Sequence, residues 1–200
     1  MYTQKRMNEI QIPDICKGSA ECLIEEQNWD GYTCGDVSCK ATLSHDETDL
    51  LVLFEVAEPE IKADCTDFNQ RVCNDSCVEL FLQNPQMGEE YVNFEFSASG
   101  YSLAGRGKGR ENRVLYPAGL LSELEIKVSR TDEGWRLYAC IPLEKFALAV
   151  QNQSMPLVLR GNLYKCGDGL AHPHYLSWTG IESPAPDFHR PEFFGSMTLL

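Results

Sequence analysis

The feature that most constrains this chain is a two-residue alternation of apolar and polar side chains that recurs along most of its length. In residues 91–97, Val92, Phe94 and Phe96 share one face while Tyr91, Asn93 and Glu95 share the other. In 123–129, Leu124, Ile126 and Val128 alternate with Glu123, Glu125 and Lys127. In 135–141, Trp135, Leu137, Ala139 and Ile141 face one way, and Arg136, Tyr138 and Cys140 the other. Successive side chains of a strand point to opposite faces, so this period marks half-buried antiparallel strands. Further strands are expected at 37–43, 50–57, 77–83, 101–105 and 157–164 and near 194–199, with shorter ones at 8–12 and 21–26. Turn signals separate them, among them His45-Asp46-Glu47, Asn84-Pro85, Ser99-Gly100 and Asp132-Glu133-Gly134. The spacing predicts an all-β fold, a single antiparallel β-sandwich of two packed sheets filling residues 1–200 as one domain. One short helix is expected near 142–150, where Pro142 can open it and Leu143, Phe146 and Val150 fall at helical spacing.

Two-layer packing assigns faces. In 157–164, Leu157, Leu159 and Leu163 turn to the inter-sheet core, so Val158, Arg160, Asn162 and Tyr164 turn outward together. In 77–83, Val78, Leu80 and Leu82 turn inward, leaving Glu79 and Phe81 outward. If the two strands share a sheet, they make a shallow polar-aromatic platform. Trp135 sits on the inward face of its strand and reads as core.

The net charge of −13 argues against nucleic acid and anionic membrane surfaces, which reward clustered Lys and Arg. The one basic cluster, Arg106, Lys108, Arg110 and Arg113, is short and Gly-rich and reads as a solvated hairpin turn. No run approaches the ~18 apolar residues that span a membrane. The first residues carry charges and no apolar stretch of a signal peptide, so the chain as given is expected in the cytoplasm, or in the periplasm or outside the cell if a leader was trimmed. The nine cysteines, 16, 22, 34, 39, 65, 73, 77, 140 and 166, are odd in number. Those at 39, 77 and 140 lie inside expected strands, so most are expected as reduced thiols. Cys65, Cys73 and Cys77 lack the Cys-x-x-Cys pairing of a zinc site.

The last forty residues combine loop signals with rings. Pro173, Pro184, Pro186 and Pro191 and several glycines are interleaved with Tyr164, Tyr175, Trp178, Phe188, Phe193 and Phe194. Arg160, Asn162, His172, His174, Asp187, His189 and Arg190 stand among them. Rings that stack, beside donors that reach, suit a polar ligand with apolar faces such as a sugar. Trp178, at a strand-to-loop exit, is expected half exposed, either stacking on a ligand or anchoring the loop. The Phe188-His189-Arg190-Pro191 run can bind, or can fix its loop by bonding backbone carbonyls. There is no Gly-x-Ser-x-Gly elbow and no Walker-type loop, and His172, His174 and His189 lack a usual metal-ligand spacing. Catalytic residues are therefore not assigned.

Asp75-Ser-Cys-Val-Glu-Leu-Phe-Leu82, Tyr91-Val-Asn-Phe-Glu-Phe96, Arg160-Gly-Asn-Leu-Tyr164, Leu176-Ser-Trp178 and Phe188-His-Arg-Pro-Glu-Phe-Phe-Gly195 together resemble carbohydrate-binding module family 9. The resemblance covers roughly residues 28–200 and is closest to stand-alone bacterial proteins of gut Bacteroides relatives. It implies a DOMON-like β-sandwich that binds sugar without cleaving it. In that family, chain ends of glucose or xylose type are clamped between two Trp rings, and charged side chains bond the hydroxyls. Some members carry structural calcium, which the resemblance leaves open here; no Asp-rich loop of defined spacing is visible, so no metal ligand is assigned and no other cofactor is implied. By this resemblance Trp178 matches the second clamp ring, Glu79 a hydroxyl-bonding acid and Arg160 a sugar-contacting Arg. The first clamp ring falls at Cys73, so Trp29, Tyr32 or Tyr91 supplies it, or the ligand differs, or binding is weak. The expected ligand residues are Trp178, Arg160, Glu79, Asn162, Tyr164, Cys73, His189 and Arg190. A haem-binding relative, with His45, His174 or His189 and Met155 or Met197 as axial ligands, is the alternative, followed by a hydrolase with a carboxylate pair.

Overall fold

A computed structural model describes residues 8–32 and 35–200, so Cys34 and the first seven residues lie outside it. In chain order the strands are β1 (Glu9–Ile12), β2 (Ala20–Leu23), β3 (Glu26–Gln27), β4 (Ser38–His45) and β5 (Asp49–Ala57). Next come β6 (Cys77–Gln83), β7 (Tyr91–Ser97), β8 (Ser102–Gly107), β9 (Val114–Leu115) and β10 (Glu125–Arg130). The last are β11 (Gly134–Pro142), β12 (Leu157–Cys166), β13 (Tyr175–Ser177) and β14 (Gly195–Leu199). The expected strands form, except that the one at 21–26 splits into β2 and β3, which join different sheets; β9 and β13 were not expected.

Two sheets result. One has five strands in the order β10-β11-β5-β4-β2, antiparallel throughout. The other has nine. Its path runs β1-β14-β12-β6-β7-β8-β9, with β13 added to the end of β12 and β3 added to β13. Among the strand pairs of the described residues, β1–β14 alone is parallel. Between the sheets, Val52, Phe54, Trp135 and Leu137 of one layer meet Leu80, Leu82, Phe94, Phe96, Leu159 and Leu163 of the other, all buried. Each such side chain contributes about 1.5–3 kcal/mol by leaving water. Trp135 is in this core, as its strand face requires, and its indole N–H donates to Glu58.

The two outer faces differ. That of the five-stranded sheet is open: Arg136, Glu55 and Lys40 stand in register across β11, β5 and β4. Glu55 pairs with Lys40 at 3.0 Å and with Arg136 at 2.9 Å. That of the nine-stranded sheet is roofed by residues 179–194 and forms a second core of Trp29, Phe81, Tyr91, Tyr164, Phe188 and Phe194. Phe188 of the roof stacks on Tyr164 of β12, with ring centres 4.1 Å apart and planes 12° from parallel. The outward platform expected on β6 and β12 therefore exists but is covered.

The expected helix at 142–150 does not form. Pro142 closes β11, and the amide of Leu143 donates to the Thr48 carbonyl in the β4–β5 turn, holding the chain at the end of the strands. Residues 143–149 fold as turns, with Ala147 at φ +53 and Leu148 donating to the Leu143 carbonyl. Leu143, Phe146, Leu148 and Ala149 are buried while Val150 is exposed, which is not a helical stripe. Among the described residues the one α-helix is α1 (Ala118–Leu121).

Candidate functional site

Antiparallel register builds the site. On β6, Glu79 stands opposite Tyr164 of β12 on one side and opposite Glu95 of β7 on the other. Glu79 and Glu95 are thus direct cross-strand neighbours on the outward face, where like charges repel. They line a cavity of about 120 Å³. Strand β12 adds Cys166, and Asp168 follows it in the next turn. Tyr175 of β13 contributes a ring, the roof supplies Pro186, Asp187, Phe188 and His189, and Cys73 and Arg110 complete the lining.

Each lining group is held. Tyr175 donates its hydroxyl to Asp168 at 2.5 Å, and Trp29 and Tyr32 pack edge-on against its ring, with centres 6.0 and 5.2 Å away. Asp187 accepts from Arg110 at 3.3 Å and from the amide of His189 at 3.1 Å. His189 meets the Tyr91 hydroxyl at Nδ1, 2.8 Å away. Burial, reinforced by Arg113 and Arg110, pushes the His189 pKa down to about 3, so its imidazole is neutral at physiological pH. Glu95 accepts from the Asn93 amide at 2.8 Å. Burial raises the pKa of both Glu79 and Glu95, and their mutual repulsion adds to the shift at Glu79. The Cys73 thiol is pushed up to about 12, first by burial and then by Glu95 and Glu79, so it is protonated and packs as an apolar group. Two residues on from Cys73, the buried carboxylate of Asp75 accepts the amides of Asp64 and Cys65 at 3.0 and 2.9 Å and the Ser97 hydroxyl at 2.5 Å.

The structure brings Glu79, Cys73 and His189 together in this cavity, and it places the other expected ligand residues elsewhere. Trp178 is 6 % exposed and packs in the inter-sheet core, not half exposed. Strand parity is the reason. With β13 at 175–177, Tyr175 points outward and Leu176 and Trp178 point inward. A Cβ on Gly195 would come within 2.7 Å of the Trp178 ring, so glycine is needed at that close approach. Arg160 points outward but is spent on the roof, donating to the carbonyls of Pro191 and Phe194 at 3.0 and 3.3 Å. Asn162 is fully buried and braces residue 179: its amide donates to the Thr179 carbonyl at 3.0 Å and its Oδ1 accepts the Thr179 amide at 2.9 Å. Tyr164 is buried beneath Phe188, donating its hydroxyl to the Phe188 carbonyl at 3.1 Å. Arg190 pairs with Glu192 at 2.7 Å and lies over Phe193.

Sequence reading did not assign Glu95, Arg110, Asp168, Tyr175 or Asp187 to the site. Glu95 was legible as an outward residue of a strand adjoining β6. Arg110 was read as part of a solvated turn, and it is 64 % exposed, but its tip reaches Asp187. Of the proposed replacements for the missing ring, Trp29 and Tyr32 back Tyr175 and Tyr91 lies in the second core. None of the three lines the cavity.

A larger hollow of about 500 Å³ lies along β4, β5 and β11. Its Lys40, Glu55 and Arg136 already satisfy one another. Among the described residues no three His, Cys, Asp or Glu side chains converge to hold a metal. Both ring nitrogens of His45 lie at 2.6 and 2.9 Å from backbone carbonyls, and Met197 is inside the core, an arrangement that does not favour haem ligation.

A β-sandwich carrying a small ring-and-carboxylate pocket on one roofed sheet face is the architecture of a carbohydrate-binding module. The profile of carbohydrate-binding family 9 matches residues 15–199, and the chain belongs to that family. Its activity is accordingly non-catalytic carbohydrate binding. Among solved structures, a candidate carbohydrate-binding protein of Bacteroides uniformis superposes with a TM-score of 0.88 at 25 % identity, covering 98 % of this chain and 100 % of that one. A family 9 module of Caldicellulosiruptor kristjanssonii in complex with glucose gives 0.62 at 14 % identity over 96 % of each chain. One from the same organism with cellotriose gives 0.55 at 17 %, covering 96 % of this chain and 93 % of that one. These last two show a shared fold. No curated protein matches the chain significantly.

Proposed function

We propose that the cavity lined by Glu79, Tyr175 and Phe188 is the saccharide site of this protein and that it takes one sugar ring or the end of a chain. The observation that carries this is Glu79: 4 % exposed, lining the cavity, and accepting no hydrogen bond from any N–H or O–H group among the described residues, while the neighbouring Cys166 thiol is directed to the Cys73 carbonyl. A buried carboxylate without an N–H partner is costly, and a ligand's donors remove that cost. At about 120 Å³ the cavity is far below the ~300–1,000 Å³ that encloses drug-sized ligands. The glucose and cellotriose held by the Caldicellulosiruptor modules indicate the ligand class.

Each lining group has a role in binding. Tyr175, fixed by Asp168, Trp29 and Tyr32, offers its ring to the sugar's C–H face. Glu79 and Glu95 accept hydroxyl protons, and Arg110 donates. The two carboxyl groups stand side by side on neighbouring strands rather than across a cleft, so they are not placed to attack and protonate opposite sides of a glycosidic bond. With Cys73 where the family's first clamp ring stands, affinity is expected at millimolar to high micromolar, roughly 4–6 kcal/mol.

Calorimetric titration with gluco-oligosaccharides tests the assignment. Tyr175→Ala should abolish binding at a cost of about 1–3 kcal/mol in stability, because the ring also packs on Trp29, Tyr32 and Phe188, whereas Tyr175→Phe should keep binding and Cys73→Trp should tighten it. Unchanged binding by Tyr175→Ala would place the site elsewhere.

A further inference from the structure

The charge of the cavity carries a conclusion about ligand class that rests on its reading as the saccharide site. Four carboxyl groups, Glu79, Glu95, Asp168 and Asp187, meet one guanidinium, Arg110. His189 adds no charge, because burial keeps its imidazole neutral. Three of the acids have donors: Glu95 takes the Asn93 amide, Asp168 the Tyr175 hydroxyl, and Asp187 both Arg110 and the His189 amide. Glu79 has no N–H or O–H donor among the described residues, although it is the most buried, and the thiol beside it, Cys166, is directed to the Cys73 carbonyl. The lining guanidinium, Arg110, is exposed and bonded to Asp187; a second, Arg113, lies outside the lining behind Asn93, and the two act on Glu95 through space without bonding either glutamate.

A hydroxyl satisfies the lone pairs of Glu79 but leaves the mutual repulsion of the acids in place. An ammonium does both. It offers three donors and a unit charge, and its bonds to carboxylates are roughly twice as strong as neutral ones. In a partly desolvated cavity that charge counts for more than in water. We infer that this cavity selects sugars bearing a free ammonium, an amino-deoxyhexose or an oligosaccharide of it, over neutral sugars of the same ring. Binding of such a cation favours the ionised carboxylates. Burial and mutual repulsion raise the pKa of this pair, so a bound cation shifts its protons toward buffer.

The test is titration calorimetry of the intact protein with glucosamine, glucose and N-acetylglucosamine, buffered below the pKa of the amine. Glucosamine should bind about ten-fold more tightly than glucose, the scale separating a charge-assisted hydrogen bond from a neutral one. N-acetylation, which removes the charge, should erase the advantage. Heats measured in two buffers of different ionisation enthalpy should show proton release with glucosamine and none with glucose. Glu79→Gln, close in shape, should bring the two affinities together while raising thermal stability. Glucose binding as tightly as glucosamine would overturn this inference and leave the saccharide site intact. Binding of neither sugar would overturn the site assignment itself. Glucosamine preference that survives both Glu79→Gln and Glu95→Gln would show that the charge acts elsewhere.

Discussion

The outer faces of the two sheets set Glu55 against Glu79. Both are glutamates at outward positions of strands flanked on both sides. On the open face Glu55 has cations on both neighbouring strands, and its pKa falls, first through the hydrogen bond from Lys40. On the roofed face Glu79 has a glutamate on one side and a tyrosine on the other, and burial drives its pKa up. The open face completes itself, whereas the roofed face leaves an acid that only a ligand can complete. The proposed site thus lies where the protein's own side chains do not satisfy one another.

The largest expected effect tests whether the roofed face is a true second core. Phe81 is fully buried there and packs against Tyr91, Tyr164, His189 and Phe194. Phe81→Ala should cost about 3–5 kcal/mol in denaturant unfolding, as for a central core ring. Tyr138→Ala, on the open face, should change stability by only about 0.5 kcal/mol. Equal small losses would make the roof a loose flap and erase the difference between the faces.

Next in size is the roof's attachment. Arg160 carries a charge to two roof carbonyls, so Arg160→Ala should cost about 1–2 kcal/mol, allowing for partial exposure. Sugar affinity should fall with it, because the roof supplies Phe188 and His189. Ligand contact by Arg160 itself would instead leave stability unchanged while abolishing binding.

Glu79→Gln sharpens the contrast through pH. A carboxyl whose folded pKa lies above its unfolded 4.5 favours folding below that value, and the advantage is lost as pH rises through the folded pKa. The neutral variant should therefore gain on the parent as pH climbs from 4.5, which melting curves across pH would show. His189 acts in the opposite sense. Its folded pKa of about 3 lies below the unfolded 6.5, so its contribution is complete above 6.5 and is lost as pH falls toward 3.

The strands and their faces were legible in the chain because a period of two is a local property. Glu79, Phe81 and Tyr164 were read correctly as outward and Trp135 as inward. What covers an outward face depends on where residues over a hundred positions away are laid down, and no local period encodes that. Trp178 shows how one missed strand misleads: without β13, parity could not be counted, and Tyr175 and Trp178 changed places between site and core. Arg110 was read from glycines that describe its turn, not from the aspartate its tip reaches. The helix expected at 142–150 lost to the end of the strands, where Leu143 had a partner already waiting.

The smallest effect is expected on the open face and is the most sensitive to conditions. Glu55 has a side chain about one quarter exposed, and Lys40 and Arg136 beside it are more exposed still. Exposed ion pairs gain little over hydration, and salt screens them within about 8–10 Å. Glu55→Gln should accordingly move the melting temperature by only about one degree, a difference that vanishes in high salt. Its pH sign is the reverse of that of Glu79. The folded pKa of Glu55 lies below 4.5, so its contribution is present above that value and is lost as pH falls through the folded pKa. Raising salt should therefore silence Glu55→Gln and leave most of the Glu79→Gln effect, since a buried charge is screened far less than a solvated one. If salt silences both, Glu79 is solvated, and the cavity is an open surface like the face opposite.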